Sequence, residues 1–188
     1  MFLQTIKKNL QIEFLELQLD PKFSSSAENF RTNIRLDIVQ RYNSILSGQE
    51  KINILNLNNL PLSQKLFFSI SHTIDIGGYA ASSTPIGFDI ENINRINSKI
   101  TQRVSTDKER ISTSSNETLW TSKEATVKLL HSKVLMTDIE ITKDLQKTAN
   151  FYIASNLKQP NSKFFGYSSK FEKKYQIALY FGLGSSEK

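Results

Sequence analysis

The 188-residue chain carries a net charge of +6 and a pI near 9.4, with 38% hydrophobic and 22% charged residues. That is enough apolar material for one large domain or two small packed halves, and the charge favours anionic partners. No cysteine occurs, which excludes disulfides, thiolate metal sites and cysteine nucleophiles.

No apolar run is long enough to span a bilayer, and the start, Met1 to Lys8, lacks the order of a secretory signal. A cytoplasmic enzyme is therefore expected. The basic residues are dispersed: Lys7-Lys8 and Lys173-Lys174 are pairs of the kind found on solvated faces.

Residues from about Leu10 to Leu19 alternate as a strand, with Ile12, Phe14 and Leu17 toward the core, and Asp20-Pro21 breaks it. Ser24, Ser25 and Ser26 offer N-caps for a helix of about 20 residues. Its buried stripe would be Phe30, Ile34, Ile38, Tyr42 and Ile45, its arginines (Arg31, Arg35, Arg41) would lie off the stripe, and Gly48 would stop it. Lys51 to Ser63 reads as irregular, with Leu60-Pro61 a loop. Leu66 to Thr73 reads as a mostly buried strand, Gly77-Gly78 as a turn, and Tyr79 to Ser82 as a strand of small residues.

Pro85 to Glu91 is the next strand. Residues two apart share a strand face, so Asp89 and Glu91 project together while Phe88 and Ile90 face the other way. Gly87 leaves room for a close approach by a backbone or a ligand. Two adjacent hard oxygen ligands suit a magnesium ion on a phosphorylated substrate; an ordinary acidic outer face fits the heptamer as well.

Ile96, Ile100 and Val104 suggest a short helix, Ser105 to Glu109 a helix start, and Ser112 to Asn116 a break. The best helix of the second half runs from about Asn116 to Ser132. Four strands follow as an antiparallel meander, near 137–142, 150–155, 163–168 and 175–181, and the tail from Gly184 reads as disordered.

On the long second-half helix Trp120, Glu124 and Lys128 share a face. Taken alone, that is a surface ion pair beside a half-buried tryptophan. If the face meets Asp89 and Glu91, a third carboxylate completes a metal site and a lysine one turn on neutralises phosphate. His72 follows a buried strand, where a lone histidine is most often structural, and His131 has no companion pattern. No zinc motif, Walker loop, dinucleotide fingerprint or nucleophile elbow occurs.

Three stretches in this order resemble the 4'-phosphopantetheinyl transferases. They are Phe68-Ser69-Ile70-Ser71-His72-Thr73, then Ile86-Gly87-Phe88-Asp89-Ile90-Glu91, then Trp120-Thr121-Ser122-Lys123-Glu124-Ala125-Thr126-Val127-Lys128. Arg103 to Glu109 resembles the family's segment between the last two. The length matches the larger, monomeric class, and the resemblance implies an α+β fold of two similar α/β lobes, each with a long helix on a mostly antiparallel sheet. The lobes would be residues 1–84 and 85–183, with 184–188 a flexible tail.

The resemblance further implies magnesium-dependent transfer of 4'-phosphopantetheine from coenzyme A to a serine of an acidic apo carrier protein. Adenosine 3',5'-bisphosphate is the other product. Metal ligands would be Asp89, Glu91 and Glu124. Glu109 or Glu124 would accept the serine proton, and Lys128 would stabilise the phosphate or protonate the leaving group. His72, Ser71, Arg31 and Lys128 would hold the coenzyme between the lobes. Nucleic acid and membrane are not expected partners.

The chain departs from the family at Ser69, at Asn58 to Pro61, in the turn after Lys128 and in a short Glu109–Trp120 loop. A catalytically silent relative that binds coenzyme A or carrier protein stays open on those departures. A basic nucleic-acid-binding domain stays open on the pI.

Overall fold

The computed structural model describes residues 2–56, 65–113, 115–131, 134–147 and 149–182. The loop expected at Asn58 to Pro61 and the tail from Gly184 lie outside the described residues. The chain divides into two compact units, residues 1–86 and 87–188.

In the first unit, helix α1 (Phe2–Leu10) precedes strand β1 (Leu15–Asp20). Ile6 and Leu10, four apart, form the buried side of α1. Gln11 takes a left-handed φ of 54° and ends it, so the first strand starts later than the Leu10 expected from alternation.

Helix α2 (Phe30–Arg41) is shorter than the 20 residues its stripe promised. The reason is a second start signal: the Ser47 hydroxyl accepts the Glu50 N–H at 3.3 Å, and the Glu50 carboxylate accepts the Ser47 N–H at 2.8 Å. That capping box begins helix α3 (Gly48–Leu55). Gly48 therefore opens a helix instead of stopping one, and the Lys51–Leu55 stretch is helical instead of irregular. Leu46 is buried where Ile45 was expected to be. Arg35 is buried too, and its guanidinium donates to the Ile54 carbonyl at the end of α3.

Strands β2 (Phe67–His72) and β3 (Gly77–Ser82) complete an antiparallel sheet in the order β1-β3-β2. Phe23, Ile34, Ile38, Tyr42, Phe68 and Tyr79 lie in its core. Gly77 and Gly78 are the first residues of β3, not a turn. A Cβ on Gly77 would stand 1.9 Å from the Phe23 carbonyl oxygen, and one on Gly78 would stand 1.9 Å from that of Gln18. Close backbone approach, not a bend, demands glycine there.

The second unit holds a five-stranded sheet in the order β4-β8-β7-β6-β5. Strand β4 is Ile86–Asn92. Helices α4 (Ser98–Arg103), α5 (Asp107–Thr113) and α6 (Asn116–Leu130) follow, then β5 (Ile139–Lys143), β6 (Phe151–Asn156), β7 (Gln159–Phe171) and β8 (Tyr175–Phe181). Strands β5 to β8 form the expected antiparallel meander, and β4 lies at the sheet edge beside β8. Helix α6 packs on this sheet through Leu119, Ala125 and Leu129, against Ile141, Ala154 and Tyr180.

The chain is thus α+β, with antiparallel sheets and six α-helices among the described residues. Gly87 fixes how α6 meets β4: a Cβ there would lie 1.9 Å from the Ala125 carbonyl oxygen and 2.7 Å from the Leu129 nitrogen. The close approach that Gly87 permits is therefore that of α6 itself.

Candidate active site

Strand β4 buries Phe88 and Ile90 on one face and presents Asp89 and Glu91 on the other. Asp89 is only 6% exposed. An ionised carboxylate at that depth needs a partner, and Lys128 on α6 donates to its Oδ1 at 2.8 Å. Glu91 is half-buried; it accepts the Asn92 N–H at 2.9 Å and meets the Arg95 guanidinium at 3.4 Å. Asn92 caps the short turn Ile93–Arg95 by accepting the Asn94 N–H, which positions Arg95. A groove of about 160 Å³ opens here, lined by Glu91, Arg95, Ile96, Asn97, Ile100 and Trp120.

Helix α6 starts at Ser115, whose hydroxyl accepts the Thr118 N–H at 3.0 Å. Its buried faces are rich in hydroxyls. Thr121 donates to the Glu117 carbonyl and Thr126 to that of Ser122, both at 2.8 Å. Hydroxyls satisfied within the helix can be buried without outside partners.

Glu124 and Lys128 stand one turn apart toward β4. Burial pushes the Glu124 carboxyl above its ordinary range; Asp89 pushes it the same way, Lys128 opposes, and Glu91 adds a further rise. Asp89, Glu91 and Lys128 therefore all act on Glu124. Lys128 is bonded to Asp89 where the helix alone suggested a surface pair with Glu124.

Hard oxygen donors on one strand face, with a third carboxylate whose charge they disfavour, suit a divalent cation. Among the described residues, however, no group of three or more His, Cys, Asp or Glu side chains stands ready to hold a metal ion. The cage expected of Asp89, Glu91 and Glu124 is not assembled; Lys128 occupies an Asp89 oxygen, and Arg95 approaches Glu91.

Glu109, expected to accept a proton, is sealed. Its Oε1 meets the Lys123 ammonium at 2.7 Å, with the two side chains 2% and 1% exposed, and accepts the Ile141 N–H at 2.9 Å. Its Oε2 accepts the Thr106 N–H at 2.8 Å while the Thr106 hydroxyl accepts the Glu109 N–H, a capping box for α5. Lys123 also donates to the carbonyls of Met136 and Ile139. Burial lowers the Lys123 pKa, against the opposing pull of Glu109 and Glu140.

This pair ties α5, α6 and β5 together, and neither Lys123 nor Arg95 was assigned a role from sequence. Lys123 was detectable as a lysine set among Thr121, Ser122, Ala125 and Thr126, residues small enough to bury its stem. Nothing in the sequence announced Arg95.

The remaining candidates belong to the first unit. His72 closes β2 and its ring lies 4.5 Å from that of Phe30 in an edge contact. The Arg31 guanidinium sits 5.5 Å from the Phe30 ring. Phe30 thus gathers Arg31 and His72 at the start of α2, beside a cleft of about 370 Å³ whose lining includes both Phe30 and Arg31. Ser69 and Ser71 are buried in β2, Ser71 opposite Gly78. In the turn after Lys128, where the chain departs from the resembling family, His131 adopts the left-handed conformation at φ 47° and ends α6.

The comparison with curated proteins finds no match. A family model does match: residues 85–180, just over half of the chain, fit the 4'-phosphopantetheinyl transferase superfamily. The matched segment contains β4 and α6 entire, and with them Asp89, Glu91, Glu109, Lys123, Glu124 and Lys128. On that match the chain belongs to the 4'-phosphopantetheinyl transferase superfamily, whose members transfer phosphopantetheine.

Proposed function

We propose that the protein transfers 4'-phosphopantetheine from coenzyme A to a serine hydroxyl of an apo carrier protein, releasing adenosine 3',5'-bisphosphate with a divalent cation, magnesium, as cofactor. The observation that carries this reading is the meeting of Asp89 and Glu91 on β4 with Glu124 and Lys128 on α6, inside the family-matched segment.

The roles follow from the chemistry of each group. Asp89, Glu91 and Glu124 are the residues that would hold the cation. When bound, the cation supplies Lewis-acid charge to the pyrophosphate of the coenzyme. Glu124, beside Asp89 and Glu91, is the proton acceptor for the serine hydroxyl. Lys128 presents its ammonium to the phosphate under attack. Glu109, sealed against Lys123, keeps α6 in place. Within the first unit, Arg31 and His72 are the candidate anion-binding groups. Positioned charge on phosphate is most of what phosphoryl transfer asks of a protein.

The two units, each a helix-bearing antiparallel sheet, support assignment to the larger monomeric, two-lobed class. The net charge of +6 suits electrostatic steering of an acidic carrier protein, and a cytoplasmic site of action fits the lack of cysteine.

Incubation of the protein with apo carrier protein, coenzyme A and magnesium tests the reading. Intact-mass analysis is expected to show one phosphopantetheine added per carrier. No gain across several carriers that a known transferase modifies would contradict it.

A further inference from the structure

We propose that the turn between β7 and β8 is a docking surface for an acidic protein face, that of the carrier on which the site acts. The inference rests on the functional reading above and adds the surface, which that reading leaves open. Phe171 and Tyr175 pair across the hairpin, and Lys170, Glu172, Lys173 and Lys174 at its end are all exposed. The pair Lys173-Lys174, ordinary in the sequence, thus joins Lys170 in a net-positive patch. Lys170 and Lys173 enter none of the ion pairs formed among the described residues.

The patch is tied to the candidate site. The Lys174 carbonyl accepts the Ile93 N–H at 3.0 Å. Ile93 opens the short turn Ile93–Arg95, whose Arg95 lines the groove together with Glu91. The basic turn therefore stands at the end of β4 where the groove opens. Its backbone is also strained: Glu172 and Lys173 take left-handed φ values of 50° and 57°. Consecutive left-handed positions in a hairpin favour Asn-Gly. Charged side chains held in such a conformation are the kind of strain found at functional surfaces.

Charge identifies the partner. An excess of ammonium groups attracts an acidic surface and fixes its orientation. Glu172 within the turn and Glu91 in the groove oppose a continuous polyanion, which favours a protein face of mixed charge over nucleic acid.

The test uses the full chain. Fluorescence anisotropy of dye-labelled apo acyl carrier protein measures binding to the wild type and to Lys170→Glu/Lys173→Glu. At low salt the double variant is expected to bind about tenfold more weakly, a difference that shrinks at high salt. In transfer assays its KM for the carrier should rise while kcat at saturating carrier and KM for coenzyme A hold. Lys173→Gly relieves the left-handed strain, so it should melt no lower than the wild type yet bind the carrier more weakly, which loss of a merely structural lysine would not do.

Equal carrier affinity in the double variant overturns the proposal, as does a fall in kcat at unchanged carrier KM. Salt-sensitive binding of duplex DNA or RNA that the double variant loses, with carrier binding unchanged, overturns it in favour of nucleic acid. If the wild type transfers phosphopantetheine and the variants do not alter its carrier KM, this inference fails alone. If the wild type neither binds nor modifies the carrier, the functional reading fails with it.

Discussion

Helix α6 carries two lysine–carboxylate pairs on different faces, and they are built for different ends. Lys123 and Glu109 are sealed, 1% and 2% exposed at 2.7 Å, with backbone groups at both partners. Lys128 and Asp89 are almost as close, at 2.8 Å, but 30% and 8% exposed and beside two further carboxylates. Solvent access and unbalanced negative charge separate a strut from a site. Sequence neighbours thus part company: Lys123 is a strut, while Glu124, next in the chain, faces the site.

The comparison breaks most visibly on the strut. Lys123→Met leaves Glu109 charged in the interior and is expected to cost about 3–5 kcal/mol of stability, the usual penalty for removing one partner of a buried pair. Adding Glu109→Gln recovers part of it. Urea denaturation measures both. A fully stable single variant would show that the sealed pair is not structural.

Gly87→Ala separates the halves of the site. Its Cβ meets the Ala125 backbone oxygen at 1.9 Å, so β4 and α6 must move apart, at about 1–3 kcal/mol. Thermal melting reads the loss, and Mn²⁺ affinity should fall with it.

Glu124→Gln gives the smallest effect, and its sign is opposite. Burial and the neighbouring carboxylates raise this group's pKa in the fold, so the folded state binds the proton more tightly than the unfolded chain does. The resulting penalty is absent below the unfolded-state pKa and grows as pH rises through the raised folded value. At neutral pH the metal-free Gln variant should therefore melt at the same temperature as the wild type or slightly higher, while losing transfer. A clear drop in its melting temperature would mean that Glu124 is a structural partner like Glu109.

Much of this was legible in the chain. Period-two spacing was enough to put Asp89 and Glu91 on one face, and period-four spacing enough to put Glu124 and Lys128 together, because those rules act within one element. The meeting of β4 and α6 rested on Gly87, whose need for space was visible but whose neighbour was not.

Three features escaped because a competing signal was stronger. Ser47 and Glu50 form a capping box, yet the glycine between them read as a stop. Gly77 and Gly78 read as a turn although close backbones demanded them. Glu109 read as a reactive acid in a helix start, where its capping role was visible but its pairing with Lys123 depended on tertiary packing no local pattern encodes.

The central claim is that the β4 and α6 carboxylates form one cation site serving transfer. Asp89→Asn tests it most directly, since the amide keeps the side chain's shape and removes its charge. With apo carrier protein, coenzyme A and magnesium, the account predicts that a folded Asp89→Asn protein transfers at least about 100-fold more slowly than the wild type. A variant that modifies the carrier at the wild-type rate would contradict it.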